Sequence, residues 1–172
     1  DGTAQTTNVD GGAGADKFYV GQLYNSDRVP GTSANIQPVD EFNATKTNEE
    51  SYLSDGVSSG TKLNIEGGSG ADEFVALNNV GALSMSGGRG DDTFSVYSFR
   101  KEDGVTPFDR GAMTIDGGKN TDTLNVRGTD AEDVFVVTKE GMLSDLVAIK
   151  AAGVESTQFD AAAGDDMFYV VG

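Results

Sequence analysis

The feature that most constrains this chain is a short motif that recurs along it. A glycine-rich hexapeptide ends on aspartate and runs into a strand of alternating apolar residues. It stands intact at GGAGAD (11–16), GGSGAD (67–72) and GGRGDD (87–92), with weaker copies at GGKNTD (117–122), GTDAED (128–133) and AAAGDD (161–166). Two and four residues after each aspartate stand a large and a smaller apolar residue: Phe18 and Val20, Phe74 and Ala76, Phe94 and Val96, Leu124 and Val126, Phe135 and Val137, Phe168 and Val170. A period of two is the pattern of a strand with one buried face. Apolar residues also precede the corners, at Val9, at Leu63 and Ile65, at Leu83 and Met85, at Met113 and Ile115, and at Phe159. The local order is therefore strand, corner, strand. Glycines that allow φ > 0 make a sharp corner here and not a two-residue hairpin. Such units bury their apolar residues by stacking as parallel rungs. The expected fold is all-β: a parallel β-solenoid with coils of about 20–22 residues, forming one module over residues 1–172.

The spacing of the aspartates sets the coils. Asp72 and Asp92 are 20 residues apart, a bare coil of strand Phe74–Leu77, turn Asn78–Gly81 and strand Ala82–Met85. Asp92 and Asp122 are 30 apart, so an excursion is expected over 98–111. Asp122 and Asp133 are 11 apart, about half a coil, which places Gly128–Asp133 on the opposite edge as a structural turn. Asp122 and Asp166 are 44 apart, read as two coils of 22 with a degenerate corner near Asp145. The 56 residues from Asp16 to Asp72 are too many for one coil. Residues 21–60 are expected to be an extruded loop, with one irregular rung at Asp40-Glu-Phe42-Asn-Ala44. The one stretch compatible with a short helix is Met142–Ala152. A second copy following directly would place its first corner aspartate 22 residues beyond Asp166, so the chain reads as a piece of a longer or tandem array.

Composition narrows the chemistry. The 28 acidic and 12 basic residues leave a net charge of −16, which repels nucleic acid and anionic lipid and attracts cations. Cysteine and histidine are both absent. That removes the soft and imidazole ligands of zinc, copper and iron–sulfur sites, and with them Ser-His-Asp and Cys-His catalysis. What remains is oxygen, the ligand set of hard cations. The neighbouring pairs Asp91/Asp92 and Asp165/Asp166 are not catalytic dyads, because adjacent strand residues face opposite sides, and no enzyme activity is expected. The acidic residues Glu49, Glu50, Glu102 and Asp103 read as solvated loop charges. No run of 18 apolar residues exists to span a membrane, and the first residues carry neither a basic region nor a hydrophobic stretch.

Calcium takes six to eight oxygens at roughly 2.3–2.6 Å, more than one hexapeptide supplies, so two stacked corners would share an ion. The expected ligands are the corner residues Gly11, Gly12, Ala13, Gly14 and Asp16; Gly67, Gly68, Ser69, Gly70 and Asp72; Gly87, Gly88, Arg89, Gly90 and Asp92; and Gly117, Gly118, Lys119 and Asp122, with Asp166 in a degenerate corner. Glycine there lets carbonyls approach the ion closely.

GGAGAD, GGSGAD and GGRGDD with their following strands resemble the RTX (haemolysin-type) calcium-binding repeats, and Gly153-Val-Glu-Ser-Thr-Gln-Phe-Asp resembles segments of very large repetitive bacterial surface and secreted proteins. The resemblance covers about half of the chain. It implies a domain that binds calcium through turn carbonyls and aspartates and becomes ordered outside the cell. The spacing of 20 residues or more departs from the family's nine-residue repeat and implies calcium along one edge. The expected function is that of a calcium-binding structural module of an extracellular bacterial adhesin, surface-layer or filament protein. Its partners would be calcium, neighbouring copies of itself or cell-surface glycans. A carbohydrate-binding accessory module of a secreted polysaccharide-modifying enzyme is the alternative.

Overall fold

The computed structural model describes residues 5–24, 44–54, 56 and 59–172. Among these the regular structure is entirely β: sixteen strands and no helix. Two open sheets carry the fold. The larger contains β1 (Thr6–Asp10), β6 (Lys62–Ser69), β8 (Ala82–Arg89), β10 (Met113–Lys119), β14 (Ala148–Ala152), β13 (Gly141–Ser144), β12 (Val134–Thr138) and β16 (Met167–Val171), in that order. The smaller contains β15 (Ser156–Asp160), β11 (Thr123–Arg127), β9 (Thr93–Tyr97), β7 (Glu73–Ala76) and β2 (Lys17–Val20). The smaller sheet is parallel throughout, whereas the larger is mixed, because β13 runs antiparallel between β12 and β14.

The alternating pattern places like residues in rows. In the larger sheet Leu63, Leu83, Met113 and Ile149 align, and Ile65 aligns with Met85 and Ile115. In the smaller sheet Phe18, Phe74, Phe94 and Leu124 align, with Val20, Ala76, Val96 and Val126 one step on. These rows form one buried core. The expected phenylalanine ladder is present: Phe18 stacks on Phe74 at 5.0 Å and Phe74 on Phe94 at 4.6 Å between ring centroids. A second stack joins Phe135 and Phe168 at 4.9 Å. Each such pair contributes about 0.5–1.5 kcal/mol beyond the area it buries.

The chain crosses from the larger sheet to the smaller at one edge, here called the glycine edge, through 11–16, 67–72, 87–92, 117–122 and 153–155. It returns at the opposite edge. Three expectations are corrected here. Met142–Ala152 is not helical but forms β13 and β14, since Met142 and Ile149 are buried while Leu143 and Lys150 face out. Gly141 at φ +135° starts β13 where no β-carbon would fit against the Ile149 carbonyl. Asp145 is no corner of the stack; it lies in the turn between these strands. Asp166 is not two coils beyond Asp122 on the glycine edge. Its corner lies on the return edge beside 128–133, where the Asp133 N–H donates to Asp166 Oδ1 at 2.9 Å, 33 residues apart. The placement of Gly128–Asp133 opposite the glycine corners holds.

Both inserted segments leave from the return edge and meet there. β3 (Leu23–Tyr24), β5 (Tyr52–Ser54) and β4 (Ala44–Lys46) form a small antiparallel sheet. Of the irregular rung expected at 40–44, residues 40–43 lie outside the described residues, and Ala44 opens β4 instead. Leu53, Phe99 and Phe108 form a second small core against Leu77 and Tyr97. Three of the charges read as merely solvated have partners: Lys46 Nζ meets Glu102 at 2.8 Å and Glu50 at 3.8 Å, and Asp103 accepts the Val105 and Thr106 N–H groups at 2.9 and 2.7 Å. The Thr106 hydroxyl, which also donates to this carboxylate, together with those N–H bonds lowers the Asp103 carboxyl pKa to about 2.

Candidate metal site at the glycine corners

The corners stack directly, including 11–16 on 67–72 across the long insertion. Gly68 faces Gly88, which faces Gly118, and Ser69 faces Arg89, which faces Lys119; Ala13 bridges to Ser69. Ser69 N–H donates to Gly12 O at 2.9 Å, Gly14 N–H to Ser69 O at 2.9 Å, Gly70 N–H to Arg89 O at 2.8 Å and Gly90 N–H to Lys119 O at 3.2 Å. The corner backbone thus continues the β-ladder. Gly70 and Gly90 sit at φ +131° and +126°, and a β-carbon on either would run into the carbonyl of the glycine one rung up. In the weaker fourth corner Asn120 takes this place at φ 88°, a residue that tolerates positive φ.

The aspartates form a ladder of their own. Each corner's aspartate N–H donates to the carboxylate one rung down: Asp16 to Asp72 Oδ1, Asp72 to Asp92 Oδ1 and Asp92 to Asp122 Oδ1, all at 2.8 Å. Asp122 N–H ends the series on Glu155 Oε2 at 2.8 Å. Glu155 escaped the sequence reading because it has no glycine hexapeptide. The signal was in the spacing: Asp122 to Glu155 is 33 residues, the same as Asp133 to Asp166.

Asp72, Asp92 and Asp122 are 2 %, 1 % and 0 % exposed. In each of them, and in Asp16, the second oxygen Oδ2 is buried without a hydrogen-bond partner. This oxygen packs against the α-carbon of the first glycine in its own corner, beside the carbonyl of the next rung's corner. A β-carbon on Gly11 would lie 2.8 Å from both Asp16 Oδ2 and Gly67 O. Glycine is needed here so that the carboxylate can close over the corner, a tighter reason than carbonyl access alone. An unpaired buried carboxylate oxygen is costly, and the donor set of carboxylate and carbonyl oxygen suits calcium. Among the described residues no three acidic side chains converge on one point, so an ion here would draw on one or two carboxylates together with carbonyls. Asp166 stands apart from this set, on the return edge.

Burial raises the carboxyl pKa of Asp92 and Asp122 above the usual range; the backbone N–H bonds oppose the rise, and neighbouring carboxylates add to it. A carboxyl with a raised folded-state pKa disfavours the fold at neutral pH, and the penalty lifts as the pH falls through the raised value. Asp92→Asn keeps an oxygen for the Asp72 N–H and loses the charge. In cation-free buffer it is expected to unfold at a higher temperature than wild type at neutral pH. The gap should narrow on acidification and close below the ordinary carboxyl value of 3.8. Thermal melts across pH check this; a gap independent of pH would refute it.

On the return edge the corner carboxylate has its cation built in. Arg100 Nη2 lies 2.7 Å from Asp133 Oδ1 and 3.2 Å from Asp145 Oδ2, with Arg100 and Asp133 both buried. Its Nε donates to Thr129 Oγ1 at 3.2 Å and Nη1 to Val105 O at 2.8 Å. Thr129 N–H satisfies Asp133 Oδ2 at 2.7 Å. Arg110 reaches the same edge and donates to the Leu77 and Tyr97 carbonyls; burial lowers its pKa to about 10. The sequence reading missed both arginines.

No family model, curated protein or solved structure matches the chain. Among the described residues no helix is long and apolar enough to cross a membrane.

Proposed function

We propose that this chain is a calcium-binding structural module, a segment of parallel β-solenoid from an extracellular or cell-surface bacterial protein of the adhesin, surface-layer or filament kind. The observation that carries the reading is the column of four corner aspartates whose Oδ2 atoms are buried and unpartnered, in a chain of net charge −16. The return edge supports it by contrast, since there an arginine neutralises the equivalent aspartate. On the glycine edge the neutralising charge comes from solution. Gly11–Asp16, Gly67–Asp72, Gly87–Asp92 and Gly117–Asp122 supply the oxygens, and the ion draws neighbouring rungs together. Extracellular modules bind calcium at about 10⁻⁴–10⁻³ M, which suits a chain that stays loose inside the cell and orders outside it.

Calorimetric titration with calcium, with magnesium as control, tests this. At tenfold excess over Kd each ion adds about 1.4 kcal/mol, or about 3–6 °C in Tm for a domain of this size. Asp72→Asn and Asp122→Asn are expected to remove the calcium response, while Asp133→Asn leaves it. No calcium heat and no shift in Tm would refute the reading.

The carbohydrate-binding alternative draws on one observation. Ser95, Tyr97, Asn125, Arg127, Gln158 and Asp160 line a shallow depression on the smaller sheet, a set of hydroxyl, amide and charged groups suited to a sugar. A glycan array distinguishes this from a purely structural role.

A further inference from the structure

The two ends of the stack are built alike. Among the described residues the two main sheets end on four strands: β1 and β2 at one end, β15 and β16 at the other. Residues 6–20 and 156–170 correspond without a gap, sharing Asp10/Asp160, Gly14/Gly164, Asp16/Asp166, Phe18/Phe168, Tyr19/Tyr169 and Val20/Val170. The likeness extends to conformation. Gly12 N–H donates to Asp10 Oδ1 at 3.0 Å and Ala162 N–H to Asp160 Oδ1 at 3.0 Å. Gly12 and Ala162 have φ of 87° and 67°, and Gly14 and Gly164 of 124° and 119°. The first rung crosses at the glycine edge and the last at the return edge, so a half-turn about the stacking axis superposes their courses.

We infer that the last rung of one copy receives the first rung of a second copy, head to tail, rotated by half a turn. β1 of the incoming copy then pairs in parallel with β15, and β2 with β16. The Asp166 N–H meets the incoming Asp16 Oδ1, the same bond that Asp16 makes to Asp72 and Asp133 makes to Asp166. Phe18 of the incoming copy lands on Phe168, which joins the Phe135–Phe168 stack to the Phe18–Phe74–Phe94 stack. The surface calls for such a cover. β16 is exposed along its whole length, Val170 by 82 %, and it carries neither charge nor proline, the devices that blunt a free strand edge. A heterologous contact of this kind does not close on itself and builds an open filament. The inference rests on strand register and ring stacking, not on calcium, so either can fail alone.

Sedimentation velocity and electron microscopy of the whole chain test it, and unbranched assemblies that lengthen with concentration are expected. Val9→Lys spoils one end and Val170→Lys the other. Each alone should be monomeric with unchanged circular dichroism, and an equal mixture should give dimers and nothing larger. The chain has no cysteine, so Tyr19→Cys with Tyr169→Cys reports the register. Aligned parallel neighbours lie about 4.8 Å apart, within disulfide range, and mild oxidation should yield a covalent ladder. The off-register pair Tyr19→Cys with Gln158→Cys should not. A wild-type chain that stays monomeric at every concentration, or a ladder from the off-register pair alone, would overturn the inference.

Discussion

Replacing Gly90 by alanine is expected to cost about 4 kcal/mol or more. Two effects combine at this position. The backbone sits at φ +126°, where an L-residue is strained by about 1–3 kcal/mol. The new β-carbon would also collide with the Gly70 carbonyl one rung up. Neither can relax alone, because Gly90 N–H is bonded to Lys119 O and Gly70 N–H to Arg89 O. Moving one corner drags the two beside it. Since a domain of this kind is stable by only about 5–15 kcal/mol, the variant should sit near its unfolding threshold. Urea denaturation measures the loss. Gly104→Ala serves as control, with φ +69° but open space around its β-carbon, and should lose far less. Equal losses at the two sites would show that the stacking contact contributes nothing.

Arg100→Met is expected to cost about 3–5 kcal/mol, the usual result of stranding one partner of a buried ion pair. The guanidinium bonds Asp133, Asp145, Thr129 and the Val105 carbonyl, so its removal leaves a fully buried carboxylate without its cation. Arg100→Lys should recover only part of the loss, because an ammonium cannot reach so many fixed acceptors at once. The double variant Arg100→Met with Asp133→Asn should be more stable than Arg100→Met alone. Lys46→Met, which breaks a half-exposed pair with Glu102, is expected to cost no more than about 1 kcal/mol. Denaturation midpoints of the four variants check the order, and hydrogen exchange at the Phe135 amide localises it. Arg100→Met no weaker than Lys46→Met would mean that Asp133 does not depend on its arginine.

The rungs were legible in the sequence because their causes are local. Alternation places Phe74, Phe94 and Leu124 inward, and glycine fixes where the chain bends, so strands, corners and the aromatic ladder could be placed before any coordinates. What escaped depends on where distant segments meet. Met142–Ala152 is compatible with either period over so few residues, and only the parallel partner β10 selects the strand. Asp166 could be assigned to either edge by counting from Asp122; the deciding fact is that β12 to β14 fold back on themselves and consume residues without adding a full coil. Arg100 lies in an irregular excursion, and nothing local ties it to Asp133, 33 residues on. For the corners, the residues were found but not their arrangement. The carboxylate turns inward over its own glycine and spends one oxygen on the rung above.

Both long inserted segments depart from the side opposite the glycine corners and prop against each other there, through Leu53, Phe99 and Phe108 and the bond from Asn48 N–H to Arg100 O. Length changes are therefore absorbed on one flank while the other keeps an unbroken rise from rung to rung. Such a chain can alter what it displays to its surroundings, by lengthening or replacing a projection, without disturbing the spacing along its spine. The scaffold and its decoration are free to change independently.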